Sequence, residues 1–175
     1  MSDESGNFSG STTSLVVPRG RPGLAPLFIS LSEIHKIENR IQEIRGSNPA
    51  TMPDLIADFN YGYVLLGKAI SMVQLELSEA EIAYNEIKSI VLLDKVEAIL
   101  AEKGIKSTAD MREAALLSNS EVIEAKRRIG LLESYMALLT NKAKSLEMAY
   151  HGAKEVNKTS KTPERGVTAG GDSRY

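Results

Sequence analysis

The chain has 175 residues, no cysteine and two histidines, and its 21 Lys and Arg residues nearly balance 23 Asp and Glu residues. The missing cysteines exclude disulfides, cysteine–zinc sites and thiol nucleophiles, and neither His35 nor His151 has partners at metal-ligand spacing. Aromatic residues make up 5% of the chain, which argues against a β-sandwich or barrel. A length near ~150 residues predicts at most one well-packed domain. We therefore expect a protein that is not an enzyme and that holds no metal and no cofactor.

The two ends of the chain differ in composition from its middle. Residues 1–29 and 159–175 are rich in Gly, Pro, Ser and Thr and lack hydrophobic periodicity. Such segments cannot bury enough apolar surface to offset chain entropy, so we predict two disordered tails. We find neither a signal peptide nor the ~18 consecutive apolar residues of a membrane span. We therefore expect a cytoplasmic protein (in the host cytoplasm if it is viral), neither secreted nor membrane-bound.

The first tail contains the string Pro-Arg-Gly-Arg-Pro at residues 18–22. Prolines hold the backbone extended and Gly20 lets it lie flat, so that Arg19 and Arg21 can both enter a narrow A·T minor groove. The string resembles the core of the AT-hook family of minor-groove binders, which implies an A·T-rich duplex as a partner. A Pro/Gly linker that happens to hold two arginines explains the same five residues.

A short helix is predicted over residues 30–46. Ser30 and Glu33 have the spacing of a capping box at its start, and Gly46 ends it. Isoleucines recur every three or four residues between these ends, as on the buried stripe of an amphipathic helix.

The largest predicted unit is a helical hairpin over residues 53–158. Its first long helix begins at Thr51, with Pro53 in the first turn, and carries apolar residues at alternating steps of four and three. This is the 3.5-residue repeat of a coiled-coil seam. The register shifts at Asp94, which we interpret as a stutter within one continuous helix that reaches Lys103.

A short helix that starts near Ser107 or Thr108 and stops around Ser118 leads into the last long helix. Ser118 and Glu121 have capping-box spacing, and the last helix repeats the 3.5-residue pattern. Two seams of matching period predict an antiparallel, coiled-coil-like hairpin, and thus an all-α fold. Because a lone hairpin of this length leaves much of each seam exposed, we also expect a homo-oligomer.

One nucleotide-binding pattern occurs inside the first long helix. Residues 62–68 match GxxxxGK, but Ala69 follows where a P-loop has a magnesium-binding hydroxyl, and no strand precedes the pattern. A continuous helix already uses the backbone amides that would bind phosphate. We therefore interpret the match as a helix that contains two glycines.

The last helix is the basic arm of the hairpin. Lys126, Arg127 and Arg128 form the densest cationic cluster, and further lysines follow on the same helix. Cations along a helix with an interleaved tyrosine suit a single-stranded backbone with one stacked base. A solvated helix flank with ordinary surface ion pairs explains the same pattern. The candidate DNA-binding residues are Arg19, Arg21, Lys126, Arg127, Arg128, Tyr135, Lys142 and Lys144.

The helical part carries five short patterns in a fixed order. They are Lys103-Gly104, Thr108-Ala-Asp-Met-Arg-Glu, Ser118-Asn-Ser-Glu-Val122, Tyr135-Met-Ala-Leu-Leu139 and Asn141-Lys-Ala-Lys-Ser-Leu146. In this layout residues 54–152 resemble the bacteriophage recombination mediator family of the UvsY type. The resemblance implies a non-enzymatic helical oligomer that binds single-stranded DNA and helps load a recombinase onto strands covered by single-stranded DNA-binding protein. This chain differs in its longer N-terminal extension and acidic first long helix, so we expect the DNA contacts on the last helix.

Two hypotheses about function follow. The first is a single-stranded DNA-binding accessory protein of recombination or repair that acts as a homo-oligomer. The second is a structural helical protein of a virion, scaffold or adaptor that assembles through its coiled-coil seams. A net charge of −2 is low for a nucleic-acid binder and favours the second, whereas the basic arm and the string at 18–22 favour the first.

Overall fold

The structure is a computed structural model, and it describes residues 13–46 and 48–161. Within them the chain forms two strands, β1 (Ser14–Val17) and β2 (Leu27–Ser30), and five α-helices. The helices are α1 (Ser32–Asn39), α2 (Met52–Asp94), α3 (Val96–Glu102), α4 (Ala109–Leu117) and α5 (Ser120–Lys161), and a 3₁₀-helix (Arg40–Gly46) follows α1. The all-α fold class predicted from the sequence is confirmed.

The long helices α2 and α5 pack along each other as an antiparallel hairpin. Residue Gly62, early in α2, faces Leu146, late in α5, while Ala83 and Ala125 line one cavity further along. A Cβ on Gly62 would lie 2.7 Å from Leu146 Cδ1 and 3.2 Å from Ile37 Cγ2, so this glycine permits close packing rather than phosphate binding. With 43 and 42 residues, the helices are each about 65 Å long.

The register shift near Asp94 breaks the first long helix at one residue. Helix α2 ends there and α3 begins at Val96, although the backbone N–H of Lys95 still donates to the carbonyl of Val91 at 3.0 Å. The prediction of one continuous helix is therefore wrong at this point. The change of register turns buried residues of both helices toward α4 and the start of α5. The second apolar cluster formed there contains Val91, Val96, Leu100, Leu116 and Val122.

Residues 13–29 are folded, which contradicts the predicted disordered tail over this range. Strands β1 and β2 pair antiparallel, with Ser14 opposite Ser30 and Val17 opposite Leu27. Alternate side chains, including Leu15 and Val17, are buried in the main apolar core. Four-residue strands are too short to give a clear periodicity, which is why the sequence did not reveal them. Residues 1–12 and 162–175 of the predicted tails lie outside the described residues, and α5 continues through 159–161.

Two of the predicted helix caps are wrong. Ser30 belongs to β2, and α1 starts after Leu31 without a side-chain cap. Helix α5 is capped by Asn119, whose Oδ1 accepts hydrogen bonds from the N–H groups of Glu121 (2.9 Å) and Val122 (3.4 Å), rather than by Ser118. The predicted start of α4 is confirmed, since the hydroxyl of Thr108 accepts a hydrogen bond from the N–H of Met111. Asn and Ser cap helices about equally well, so neighbouring cap residues are hard to separate by sequence.

Candidate nucleic-acid interface

The nine residues 18–26 that join β1 to β2 form what we call the arginine loop. The loop crosses α2 so closely that a Cβ on Gly20 would overlap the backbone carbonyl of Glu76 and lie 2.5 Å from Cβ of Glu79. Gly23, which follows Pro22, has a φ of +84° and turns the chain back toward β2. The string at 18–22 is therefore a docked loop, and the prediction of an extended tether is wrong.

A buried carboxylate holds the centre of the arginine loop. Glu76 is 4% exposed and is the one buried charged side chain of the described residues. The backbone N–H of Gly20 donates a 2.7 Å hydrogen bond to its Oε2, and Arg19 Nε lies 2.9 Å from its Oε1. The arginine contact is close but not aligned as a hydrogen bond, so the Gly20 amide supplies the directional contact. Together, the Gly20 amide and the Arg19 side chain compensate the free-energy cost of burying the charge of Glu76.

A second pair of carboxylates holds Arg21 at the surface. Its Nε donates to Glu79 at 2.9 Å, and Nη1 and Nη2 donate to the two oxygens of Glu86 at 3.2 and 3.4 Å. These hydrogen bonds, that with Glu79 first, hold the pKa of Arg21 above its ordinary value. All three side chains are between 42% and 53% exposed, so salt screens these contacts and each contributes little stability.

The arginine loop reaches one residue of the basic arm. Arg128 of α5 lines a surface pocket of about 170 Å³ together with Arg19 and Arg21. No carboxylate of the described residues forms an ion pair with Arg128, which is half-buried. Three of the eight candidate DNA-binding residues, from segments more than a hundred positions apart in sequence, are thus brought together.

The other cations of the basic arm fall into two groups. Lys126, Arg127 and Lys144 are exposed, and the described residues offer them only one contact, at 4.0 Å between Arg127 Nη1 and Glu124. Lys142 instead donates to both carboxylate oxygens of Glu38 in α1, at 2.7 and 2.8 Å. The charge of Lys142 therefore links α5 to α1 through this ion pair, whereas the sequence predicted that Lys142 contacts a phosphate.

The predicted stacking residue is not an open platform. Tyr135 is half-buried and packs against the main apolar core between the long helices. Its ring therefore contributes to the hairpin, because its position in the 3.5-residue repeat lies beside the seam. A stacked base would have to compete with this packing, and the base-stacking role of Tyr135 stays a prediction.

A line of uncharged residues, flanked by charged side chains such as Lys68 and Lys144, runs along the face of α2 and of α5 that points away from the hairpin, a feature that the sequence analysis missed. We call these exposed positions, spaced by three or four residues and opposite the seams, the outer stripes. The outer stripe of α2 consists of Val64, Gly67, Ser71, Leu75, Ser78, Ile82, Asn85, Ser89 and Leu93. The outer stripe of α5 consists of Gly130, Ser134, Leu138, Asn141, Ser145, Met148 and Gly152. Leu75, Leu93 and Met148 are 62–78% exposed, whereas solvated helix faces are normally charged.

Two site types are absent from the described part of the chain. Residues 13–46 and 48–161 hold no group of three or more His, Asp or Glu side chains arranged for a metal ion. In the same residues, no helix has both the length and the apolar character needed to cross a membrane.

Comparisons of the chain with protein-family models, with curated proteins and with solved structures return no match. The resemblance of residues 54–152 to the UvsY type therefore stays a prediction.

Proposed function

We propose that the protein is a homo-oligomeric, single-stranded DNA-binding accessory protein of recombination or repair. The observation that carries the proposal is the position of Arg128, which lines one pocket with Arg19 and Arg21 and adjoins the exposed Lys126 and Arg127 in sequence. Because Glu76, Glu79 and Glu86 balance the charges of Arg19 and Arg21 in the docked loop, the excess of positive charge at this place comes from residues 126–128 of α5, and it favours a polyanion there. Loading of a recombinase onto covered strands is what the family resemblance adds to this proposal.

The contacts to DNA are electrostatic in this proposal. Lys126, Arg127 and Arg128 neutralise phosphates at the start of α5, and Lys144 adds a further contact about 27 Å along the helix. Such contacts carry little sequence information, which suits a protein that acts on any single strand. Lys142 and Tyr135 take no part, because Glu38 of α1 already pairs with Lys142 and Tyr135 packs against the apolar core.

Self-association is the second part of the proposal. The outer stripes of α2 and α5 are exposed, uncharged and partly apolar, which favours packing against copies of the same helices. Several copies place several weak basic sites on one strand, so that the oligomer binds much more tightly than a single chain.

The test is the binding of fluorescent single-stranded oligonucleotides across a salt series, measured by anisotropy. We expect affinity to fall steeply with salt, because phosphate contacts release counterions. Changing Arg127 and Arg128 to Ala should lower the slope of log affinity against log salt by about 1.4. The matched control changes Lys68 and Lys88, two exposed lysines of α2, and should leave the slope unchanged. Binding that is absent or insensitive to salt would contradict the proposal.

A structural helical protein is the second candidate, and the outer stripes favour it on their own. Two uncharged, partly apolar stripes can pack hairpins into a scaffold, whether or not DNA is bound. In that case the free protein would sediment as an oligomer or co-purify in fixed proportion with a particle. It would also fail to bind the oligonucleotides at any salt concentration.

A further inference from the structure

The contacts of the arginine loop divide into a buried and an exposed part. Gly20 and Arg19 meet the carboxylate of Glu76, whose side chain is 6% exposed. Arg21 meets Glu79 and Glu86 in solvent. We call the first part the pin and the second part the clasp. Salt and competing anions act on the clasp far more readily than on the pin, because solvent screens exposed charges.

The closed loop withholds its arginines from any other anion. All three nitrogens of the Arg21 guanidinium donate to carboxylate oxygens, and Arg19 Nε lies against Glu76. A phosphate group can therefore form its full set of contacts with Arg19 and Arg21 only after these side chains have separated from the glutamate carboxylates. Three glutamates on one helix therefore occupy the position that a nucleic-acid backbone would take.

The loop can leave α2 without unfolding the strands that carry it. Its ends are fixed by the pairing of Val17 with Leu27, and Val17 is fully buried in the core. Backbone rotation at residues between Pro18 and Pro26, such as Gly23, would move the loop and leave this base in place, since the proline rings fix φ at positions 18 and 26. Opening would also uncover a cavity of about 290 Å³, which Gly20 and Pro22 help to close.

We propose that the arginine loop is a latch, which the phosphates of a DNA duplex open by competing with Glu79 and Glu86 for Arg21. The latch rests on the proposed DNA-binding function and adds a regulated duplex contact to it. While the loop is docked on α2, only the basic arm of α5 contacts the DNA. Open, the loop adds Arg19 and Arg21 to the contacts, so that duplex binding and docking on α2 exclude each other.

The experiment uses the full chain and an A·T-rich DNA duplex, with two readouts. Hydrogen exchange measures the protection of residues 18–26, where the Gly20 amide reports on the pin. Anisotropy measures duplex affinity. We expect the duplex to speed exchange in the loop, and the double variant Glu79→Gln, Glu86→Gln to bind it about three- to tenfold more tightly than the unchanged chain.

The matched control is the double variant Glu81→Gln, Asp94→Asn. It removes the same charge from exposed positions of α2 that do not contact the arginine loop. We expect its loop to exchange as slowly as that of the unchanged chain and its affinity to rise less than twofold. An equal gain of affinity in both double variants would overturn the latch, because general repulsion would then explain it.

A second variant disrupts the pin, the contact of Gly20 and Arg19 with Glu76. Gly20→Ala cannot dock, because its Cβ would overlap the α2 backbone, so its loop should exchange quickly even without DNA. If the unchanged chain binds oligonucleotides but loop exchange is unaffected by the duplex, the latch is wrong and the proposed function stands. If neither the unchanged chain nor the variants bind any oligonucleotide, both are wrong.

Discussion

Gly20 rests on the backbone of α2 at Glu76, and its N–H donates a 2.7 Å hydrogen bond to the carboxylate of that residue. The close approach of the loop requires glycine at position 20, because a side chain there would overlap α2. The buried carboxylate of Glu76 in turn requires a hydrogen-bond donor, which the N–H of Gly20 supplies. A buried carboxylate without partners is costly, and a loop without an anchor would not stay on a helix.

Replacing Gly20 by Ala should destabilise the protein. The added methyl group separates the loop from α2 and leaves Glu76 without its aligned hydrogen bond, which we expect to lower the free energy of unfolding by about 1–3 kcal/mol. Chemical denaturation measures this change. Glu81→Ala, on an exposed position of the same helix, is the control and should stay within about 0.5 kcal/mol. Equal effects of both changes would contradict the role of the pin.

High salt, rather than high pH, should weaken the clasp, in which Arg21 pairs with Glu79 and Glu86. The pKa of Arg21 is raised above its ordinary value by Glu79 and Glu86, so its stabilising charge is complete below the ordinary arginine pKa. This contribution is lost only as pH rises through the still higher folded value. We therefore expect the protection factors of the amides at 21, 23 and 24, which compare observed with intrinsic exchange rates, to be constant from neutral to mildly alkaline pH and to fall between about 0.1 M and 1 M salt. The opposite dependence would contradict the clasp.

The sequence predicts the hairpin because its pattern extends over two helices of more than forty residues. Repeats at 3.5-residue spacing identify part of the buried seam, including Leu66 and Leu139, without knowledge of the partner helix. The predicted seam residue Tyr63 is instead 46% exposed, and its neighbour Gly62 is buried. The break at Lys95 was harder to predict, since a register shift is compatible with both a stutter and a short interruption. Long periodic elements are predictable because many residues carry the same signal.

The candidate site was less predictable, because its contacts join segments that are distant in sequence. The string at 18–22 lacks apolar periodicity, and its partners Glu76, Glu79 and Glu86 were recognised only as part of an acidic first long helix. Alternation of two buried side chains in β1 was too short to predict a strand. Glu76 lies next to Leu77 of the predicted seam, and its burial in the structure explains why a cation and an N–H group approach α2 there.

Substitutions at Lys142 and Lys144 should affect different properties. The first should lower stability, and the second should weaken DNA binding. Lys142 is 21% exposed and holds Glu38, so we expect Lys142→Ala to lower the free energy of unfolding by about 1–2 kcal/mol. Oligonucleotide affinity should then change less than twofold. Lys144→Ala removes an exposed charge and should weaken binding while stability stays within about 0.5 kcal/mol. Denaturation and anisotropy on both variants check the pair, and a binding loss confined to Lys142→Ala would contradict this assignment.

The outer stripes predict which substitutions break the oligomer. Leu75 and Met148 lie on different stripes and are 62% and 75% exposed, so a glutamate at either position is tolerated in the folded chain. Between copies the same charge would be buried without a partner, which strongly destabilises an interface. We expect Leu75→Glu and Met148→Glu to sediment at a lower mass than the unchanged chain while keeping its helical circular dichroism. Leu117→Glu is the control, because Leu117 is 45% exposed on α4, away from both stripes. If all three variants sediment like the unchanged chain, the copies do not meet through these faces.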